Sequence, residues 1–112
     1  MKSLARRKRK RFYVLDEKNR PVEVFDFSEW SRWMSENEQI FRRTLLKESG
    51  VIVTTRFRGV SETGAGEALL FVTRIAGKQA QDNESYGAPT LDEAMEQHER
   101  IVQKILRMLT GR

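Results

Sequence analysis

The chain of 112 residues contains no cysteine, two prolines and a single histidine, His98. Without cysteine there is no disulfide framework and no thiolate to act as nucleophile or metal ligand. Any site that needs an imidazole has His98 alone to supply it. The absence of disulfides is consistent with a reducing compartment, and we expect a cytoplasmic protein.

Long apolar runs are also missing. The longest, Ala68 to Val72, has five residues, whereas a spanning helix needs about 20. Near the N-terminus only Phe12 to Leu15 is apolar, which is shorter than the roughly 7–15 residues of a secretion signal core. We therefore expect neither a membrane span nor a secretion signal.

Positive charge is abundant but confined. Residues 1–11 hold seven bases and no acid, and the rest of the chain holds 21 − 7 = 14 bases against all 16 acids. The formal charge of +5 is therefore due to the N-terminus, and the remainder carries 14 − 16 = −2. We predict a disordered basic arm over 1–11 and a single α+β domain over 12–110, which is an ordinary size for one domain.

The first part of the domain reads as a hairpin and a short helix. The runs 12–16 and 22–25 have strand character and flank a turn that contains Asn19. Asp26 followed by Glu29 predicts a capping box for a helix over 28–37. This helix has an aromatic face at helical spacing, formed by Phe27, Trp30, Trp33 and Met34.

The second part reads as three strands, a loop and a long helix. Strands are predicted over 40–47, 51–60 and 68–75, a surface loop over 77–89, and an amphipathic helix capped by Thr90 and ending near Gly111. The order is β-β-α-β-β-β-α. We expect an α+β fold with a mainly antiparallel, five-stranded sheet and both helices packed on one face.

Signals for catalysis are few. His98 is followed by Glu99, but a zinc-protease helix needs a second histidine at position 102, which is valine. Because His98 falls within the apolar stripe of the last helix, we predict a partly buried histidine that is hydrogen-bonded to the sheet or to a loop. The segment 64–66 (Gly-Ala-Gly) reads as a hairpin loop rather than a phosphate loop, because Leu69 replaces the third glycine and a strand follows. We predict no cofactor and no metal.

The arm is the strongest functional feature. Its cationic run, which cannot fold against itself, consists of Arg6, Arg7, Lys8, Arg9, Lys10 and Arg11. Contact with nucleic acid is the favoured interpretation, because each phosphate contact releases counterions. A passive solubility tail, a targeting signal and contact with an acidic protein remain open.

A second basic set is predicted on the sheet. If Val51, Val53, Thr55 and Phe57 face the helices, strand alternation places Arg56 and Arg58 on the open face, beside Arg74 and either Arg42 or Arg43. Such a face could bind a nucleic-acid backbone or an acidic protein, although it lacks exposed aromatic rings for base stacking. The alternative is a solvated face on which the arginines pair with Glu48, Glu62 or Glu67.

The two tryptophans form a further candidate site. Trp30 and Trp33 lie on adjacent turns of a short helix, which cannot bury both rings fully. We predict that they belong to the core and its rim, and that one ring is partly exposed and available to a protein partner.

Residues 12–102 contain a series of short sequence motifs. In order, these are FYVLD at 12–16, PV at 21–22, the two tryptophans, VTT at 53–55, Phe57, Gly59, LLF at 69–71, Gly77, Tyr86, a helix start at 90–94, and His98. Their order resembles that of a group of small, uncharacterised bacteriophage and prophage proteins. The resemblance implies a phage-encoded or horizontally acquired accessory protein and brings no established activity. The chain differs from the motifs of that group at the arm and at Arg56 and Arg58.

We therefore predict a non-enzymatic binding module that contacts nucleic acid, or a complex bound to nucleic acid, through its basic arm. The alternative is an inhibitor or adaptor that binds a protein, of which anti-CRISPR proteins are a familiar phage example. A small enzyme using His98 is the least favoured reading. The open edge of the first hairpin also offers a surface for a homodimer.

Overall fold

The computed structural model describes residues 10–62, 68–77 and 84–110. In chain order its elements are β1 (Arg11–Leu15), β2 (Pro21–Val24), α1 (Phe27–Glu36), β3 (Ile40–Leu46), β4 (Val51–Phe57), β5 (Val60–Ser61), β6 (Phe71–Ala76), β7 (Ser85–Ala88) and α2 (Leu91–Thr110). The α+β class is confirmed.

The strands form two antiparallel sheets, so the prediction of one five-stranded sheet is wrong. One sheet has the order β2-β1-β5 and the other β3-β4-β6-β7. The division arises at Gly59, whose φ of 78° turns the backbone out of the predicted strand 51–60. Beyond this bend β5 leaves β4 and pairs with β1, and the Tyr13 N–H donates to the Gly59 carbonyl at 2.8 Å.

The helices cover different sheets rather than one face of a single sheet. Helix α1 packs mainly on β1 and β2, whereas α2 packs on β4, β6 and β7. The buried stripe of α2 consists of Ala94, His98 and Val102. Its N-terminus is capped as predicted, because the Glu93 N–H donates to Thr90 Oγ1 at 3.2 Å.

The predicted loop 77–89 contains a strand. Strand β7 lies antiparallel to β6, with Phe71 opposite Ala88 and Thr73 opposite Tyr86. Its sequence, SYGA, is short and has no alternation of apolar and polar residues, so the sequence does not indicate a strand here. Gly87 is where Leu69 packs: a Cβ at this glycine would lie 3.0 Å from the Leu69 Cβ. The strand predicted over 68–75 begins only at Phe71, and Leu69, which precedes it, packs on Gly87 of β7 instead.

The predicted first hairpin is confirmed, with Phe12 opposite Val24 and Val14 opposite Val22. Asn19 adopts a φ of 60°, and the Asp16 carboxylate accepts the backbone N–H groups of Lys18 and Arg20. Neither helix of the described part is both long and apolar enough to cross a membrane.

Candidate functional site

The central strand β4 has two chemically different faces. Val51, Val53, Thr55 and Phe57 are buried, whereas Arg56 is exposed. This alternation follows from the pleat, which sends successive side chains to opposite faces. Helix α2 and the Trp33 ring of α1 cover the apolar side, and no helix of the described residues packs on the other side of the four-stranded sheet.

Four arginines come together on this open side, and we call them the arginine face: Arg43, Arg56, Arg58 and Arg74. They line a shallow depression of about 480 Å³. Thr54 of β4 lies opposite Arg43 on one side and opposite Arg74 on the other. The register therefore aligns Arg43 and Arg74 in one row across three strands.

The sequence left open whether Arg42 or Arg43 joins this face, and a bulge decides it. The pairing of β3 with β4 shifts between Ile40 and Arg42, so that Arg42 lies opposite the buried Thr55. Arg42 consequently points to the helix side, where its guanidinium lies 3.6 Å from the Glu99 carboxylate. Arg43 points to the open side.

The charges of the arginine face are not compensated within the described residues. No ion pair in residues 10–62, 68–77 and 84–110 involves any of the four arginines, and no carboxylate lines the depression. Of the acids predicted to pair with them, Glu62 lies 4.0 Å from Lys10 instead, and Glu67 lies outside the described residues. The depression's other lining residues are apolar or neutral: Ile40, Thr54, Val72, Ala76 and Ser85.

Only the end of the predicted arm falls within the described residues. Arg6, Arg7, Lys8 and Arg9 lie outside them, as does the 64–66 loop. Lys10 is exposed, and Arg11 already belongs to β1, opposite Ser61. Ser61 is three residues from Arg58, and because the backbone bends at Gly59 the two Cα atoms are separated by at most about 10 Å, the length of three extended residues. The root of the arm therefore lies close to one end of the arginine face.

Both tryptophans are half-buried and hold α1 against the bend. The Trp30 indole N–H donates to the Gly59 carbonyl at 2.9 Å, and its ring lies 4.8 Å from that of Phe12. The Trp33 ring lies 5.9 Å from Phe57, edge to face. Their contacts are those of core and rim residues, as the spacing predicted.

Two phenylalanines that sequence reasoning did not single out as a surface are more exposed. Phe25 is 88% exposed and Phe27 is 59% exposed, on either side of the helix cap Asp26. Phe25 occupies the position at which an apolar residue often packs on the first turn of the helix. That pattern predicts burial of Phe25, so no sequence signal could have identified it as exposed.

The predicted burial of His98 is confirmed. Its ring has no exposed surface; Nδ1 lies 2.8 Å from Thr55 Oγ1 and Nε2 lies 2.8 Å from Thr44 Oγ1. Burial lowers the pKa of His98, the positive charge of Arg42 lowers it further, and Glu99 opposes both. A substrate has no access to this ring in the present conformation.

Comparisons of the chain with protein-family models, with curated proteins and with solved structures found no match. Within the part of the chain that the structure describes, no group of three or more His, Cys, Asp or Glu side chains could hold a metal ion. The geometry and charge of the site are therefore the basis for assigning a function.

Proposed function

We propose that this chain is a non-enzymatic binding module that holds the phosphate backbone of nucleic acid on its arginine face. The observation that carries the proposal is the arginine face itself: four arginines around one depression, without a carboxylate partner among the described residues. The basic arm, whose root at Arg11 lies opposite Ser61, three residues from Arg58, adds a second contact.

The chemistry of the four side chains favours phosphate. A guanidinium is planar, always charged and able to donate two parallel hydrogen bonds to one phosphate. Four such groups close together repel one another, and the negative charge of bound phosphates relieves this repulsion. The counterions that the nucleic acid releases on binding add a favourable entropy. Since backbone contacts carry no sequence information, binding should be independent of sequence.

A salt titration of DNA binding tests the proposal. In the variant Arg56→Gln/Arg74→Gln, the slope of log K against log salt should become less negative by about 1.8, at about 0.9 for each lost phosphate contact. The matched control is Arg32→Gln/Arg107→Gln, which removes two exposed arginines from α1 and α2. Equal slopes and affinities for the two variants would contradict the proposal.

The exposed rings of Phe25 and Phe27 favour a second candidate function, that of an inhibitor or adaptor that binds a protein. Under this reading a partner protein should be recovered in stoichiometric amount after nuclease treatment. Phe25→Ser/Phe27→Ser should abolish its recovery, whereas the control Met108→Ser, at a 70% exposed position of α2, should not. Loss in both variants, or in neither, would count against this function.

A further inference from the structure

We infer that the arginine face selects double-stranded over single-stranded nucleic acid. This inference rests on the proposed function and specifies its ligand. Three features of the described surface carry it: the absence of stacking groups, the two-dimensional arrangement of the charges, and the acidity of the place where exposed aromatic rings do occur.

Among the described residues the arginine face offers unpaired bases no aromatic ring to stack on. Among the residues that line the depression none is aromatic; its uncharged members are short or aliphatic, like Thr54 and Val72. Proteins that bind single strands gain about 1–3 kcal/mol from each base stacked on an aromatic ring. A duplex has its bases already stacked internally, so it loses nothing on a surface that contacts only its backbone.

The charges are spread in two directions rather than along a line. Arg43 and Arg74 stand in one row with β4 between them, so their Cα atoms are separated by two strand spacings, about 10 Å. Arg56 lies two residues further along β4, a step of roughly 7 Å. A single strand presents its phosphates in one file, whereas a duplex presents two backbones and one charge per roughly 1.7 Å of axis. The duplex therefore suits a two-dimensional set of guanidinium groups.

The sheet also holds these positions in place. Strand β4 is hydrogen-bonded to β3 on one side and to β6 on the other, so Arg56 projects from the centre of a ladder. A preorganised array matches a stiff duplex of fixed phosphate spacing better than a flexible strand that must be ordered on binding.

The exposed aromatic rings lie beside carboxylates, which repel phosphates. Tyr86 of β7, which is 38% exposed, donates its hydroxyl to the Glu84 carboxylate. Phe25 and Phe27 flank Asp26, and Glu29 follows one turn into α1. A single strand that stacked on these rings would bring its phosphates close to two carboxylates. The rings at the start of α1 and the arginine face on the open side of the four-stranded sheet are thus on separate surfaces, and a single strand cannot use both as one platform.

Fluorescence anisotropy with the full-length protein tests the inference. The probes are a labelled 20-bp duplex DNA, the same labelled strand alone, and the corresponding RNA pair. The four phosphate contacts of the arginine face should contribute about −3.6 to the slope on a duplex and about −2.8 on a single strand, which is about a sixfold preference for the duplex at 0.1 M salt. Arg43→Gln/Arg56→Gln/Arg58→Gln/Arg74→Gln should reduce the measured preference by about this factor, and Phe25→Ser/Phe27→Ser should leave it unchanged.

The outcomes separate this inference from the proposed function. A duplex of either sugar that binds more tightly than its own single strand, by a margin that the four arginine substitutions reduce, supports the inference; a margin that they leave unchanged overturns it. Equal or tighter binding of the single strand, or binding that the phenylalanine substitutions remove, overturns the inference and leaves nucleic-acid binding in place. If neither form binds at about 50 mM salt, the proposed function fails and the inference fails with it.

Discussion

At the scale of single residues, the most constrained group is the buried imidazole of His98 and the threonines around it. Thr55 is the hub, since its Oγ1 lies 2.8 Å from His98 Nδ1 and 2.6 Å from Thr73 Oγ1, while Thr44 faces Nε2. A neutral imidazole has one donor and one acceptor, and threonine hydroxyls can satisfy both. The cluster thus lets the domain bury a polar side chain between β4 and α2 with all its hydrogen bonds made.

Thr55→Val tests the role of this hub. The substitution keeps the shape of the side chain but leaves His98 Nδ1 and the Thr73 hydroxyl without their buried partner, so the free energy of unfolding should fall by about 1–3 kcal/mol. Thr54→Val is the matched control, because Thr54 is the next residue of β4 and faces the open side; it should change stability by no more than about 0.5 kcal/mol. Urea unfolding measures both, and equal effects would contradict the role given to Thr55.

The lowered pKa of His98 predicts how stability depends on pH. Below the ordinary histidine pKa of about 6.5, the unfolded chain takes up a proton that the buried ring resists, because burial and then Arg42 disfavour its charge. Stability should therefore fall as the pH drops from 6.5 towards the lower pKa of the folded state, and level off below it. The free energy of unfolding, measured by urea unfolding at each pH between 7.5 and 5, should depend less on pH in His98→Gln than in the wild type.

Titration of Asp16 does not contribute to the pH dependence in this range. Backbone hydrogen bonding from Arg20 lowers the pKa of Asp16 from its already acidic range, so stability linked to Asp16 is lost only at still lower pH. A wild-type curve that is flat between pH 7.5 and 5, or a slope retained in His98→Gln, would contradict the assignment to His98.

At the scale of elements, the bend at Gly59 decides the architecture. It ends β4, starts β5 and receives the Trp30 indole N–H on its carbonyl. A Cβ at this position would lie 3.0 Å from the Met34 sulfur and 3.1 Å from Trp30 Nε1. The glycine is thus required both by its positive φ and by the close approach of α1.

Gly59→Ala should destabilise the domain more than Gly50→Ala does. Both glycines have similar positive φ values, 78° and 75°, but nothing lies within 4 Å of a Cβ at Gly50. Each substitution should lose about 1–2 kcal/mol through the left-handed backbone, and only Gly59→Ala should add the displacement of α1. The difference between their unfolding free energies measures the packing of α1 on the bend. Equal losses would show that this packing adds nothing.

Periodicity predicted the long elements well and the short ones poorly. The stripe of α2 and the alternation of β4 each extend over several turns or pleats, so the pattern averages out individual exceptions. Strand β5 has two residues, which is too few for a period to show. Strand β7 has four residues, as β2 does, but its sequence SYGA lacks the alternating valines of β2. The split into two sheets depends on the φ of one glycine and on which strand accepts β5, and both are tertiary choices.

The same contrast applies to the candidate site. Grouping Arg56, Arg58 and Arg74 required only alternation and a plausible order of strands. Assigning Arg43 rather than Arg42 to the arginine face required knowledge of the bulge in β3, which the sequence IFRR does not predict. The exposure of Phe25 went against its expected place in a helix start, so only the structure reveals it.

At the scale of the whole molecule, positive charge is concentrated at residues 1–11 and on the arginine face, while residues 12–112 taken together carry a formal net charge of 14 − 16 = −2. The arm leaves the domain at Arg11, whose partner Ser61 follows closely on Arg58. The root of the arm and the nearest arginine of the face are thus within roughly 10 Å of backbone, whereas a 20-bp duplex is about 68 Å long at 3.4 Å per base pair. We predict that both engage one duplex at the same time.

Two variants and their combination test this. Glutamine at positions 6–10 removes five charges and lowers the formal net charge from +5 to zero; the face variant is Arg43→Gln/Arg56→Gln/Arg58→Gln/Arg74→Gln. If arm and face share one duplex, each acts at the high effective concentration set by the other, so either variant should lose about a hundredfold or more in affinity at one duplex per protein. Sedimentation with a labelled 20-bp duplex measures affinity and stoichiometry. Two duplexes per wild-type molecule, with either variant retaining full affinity for one, would show that arm and face act independently.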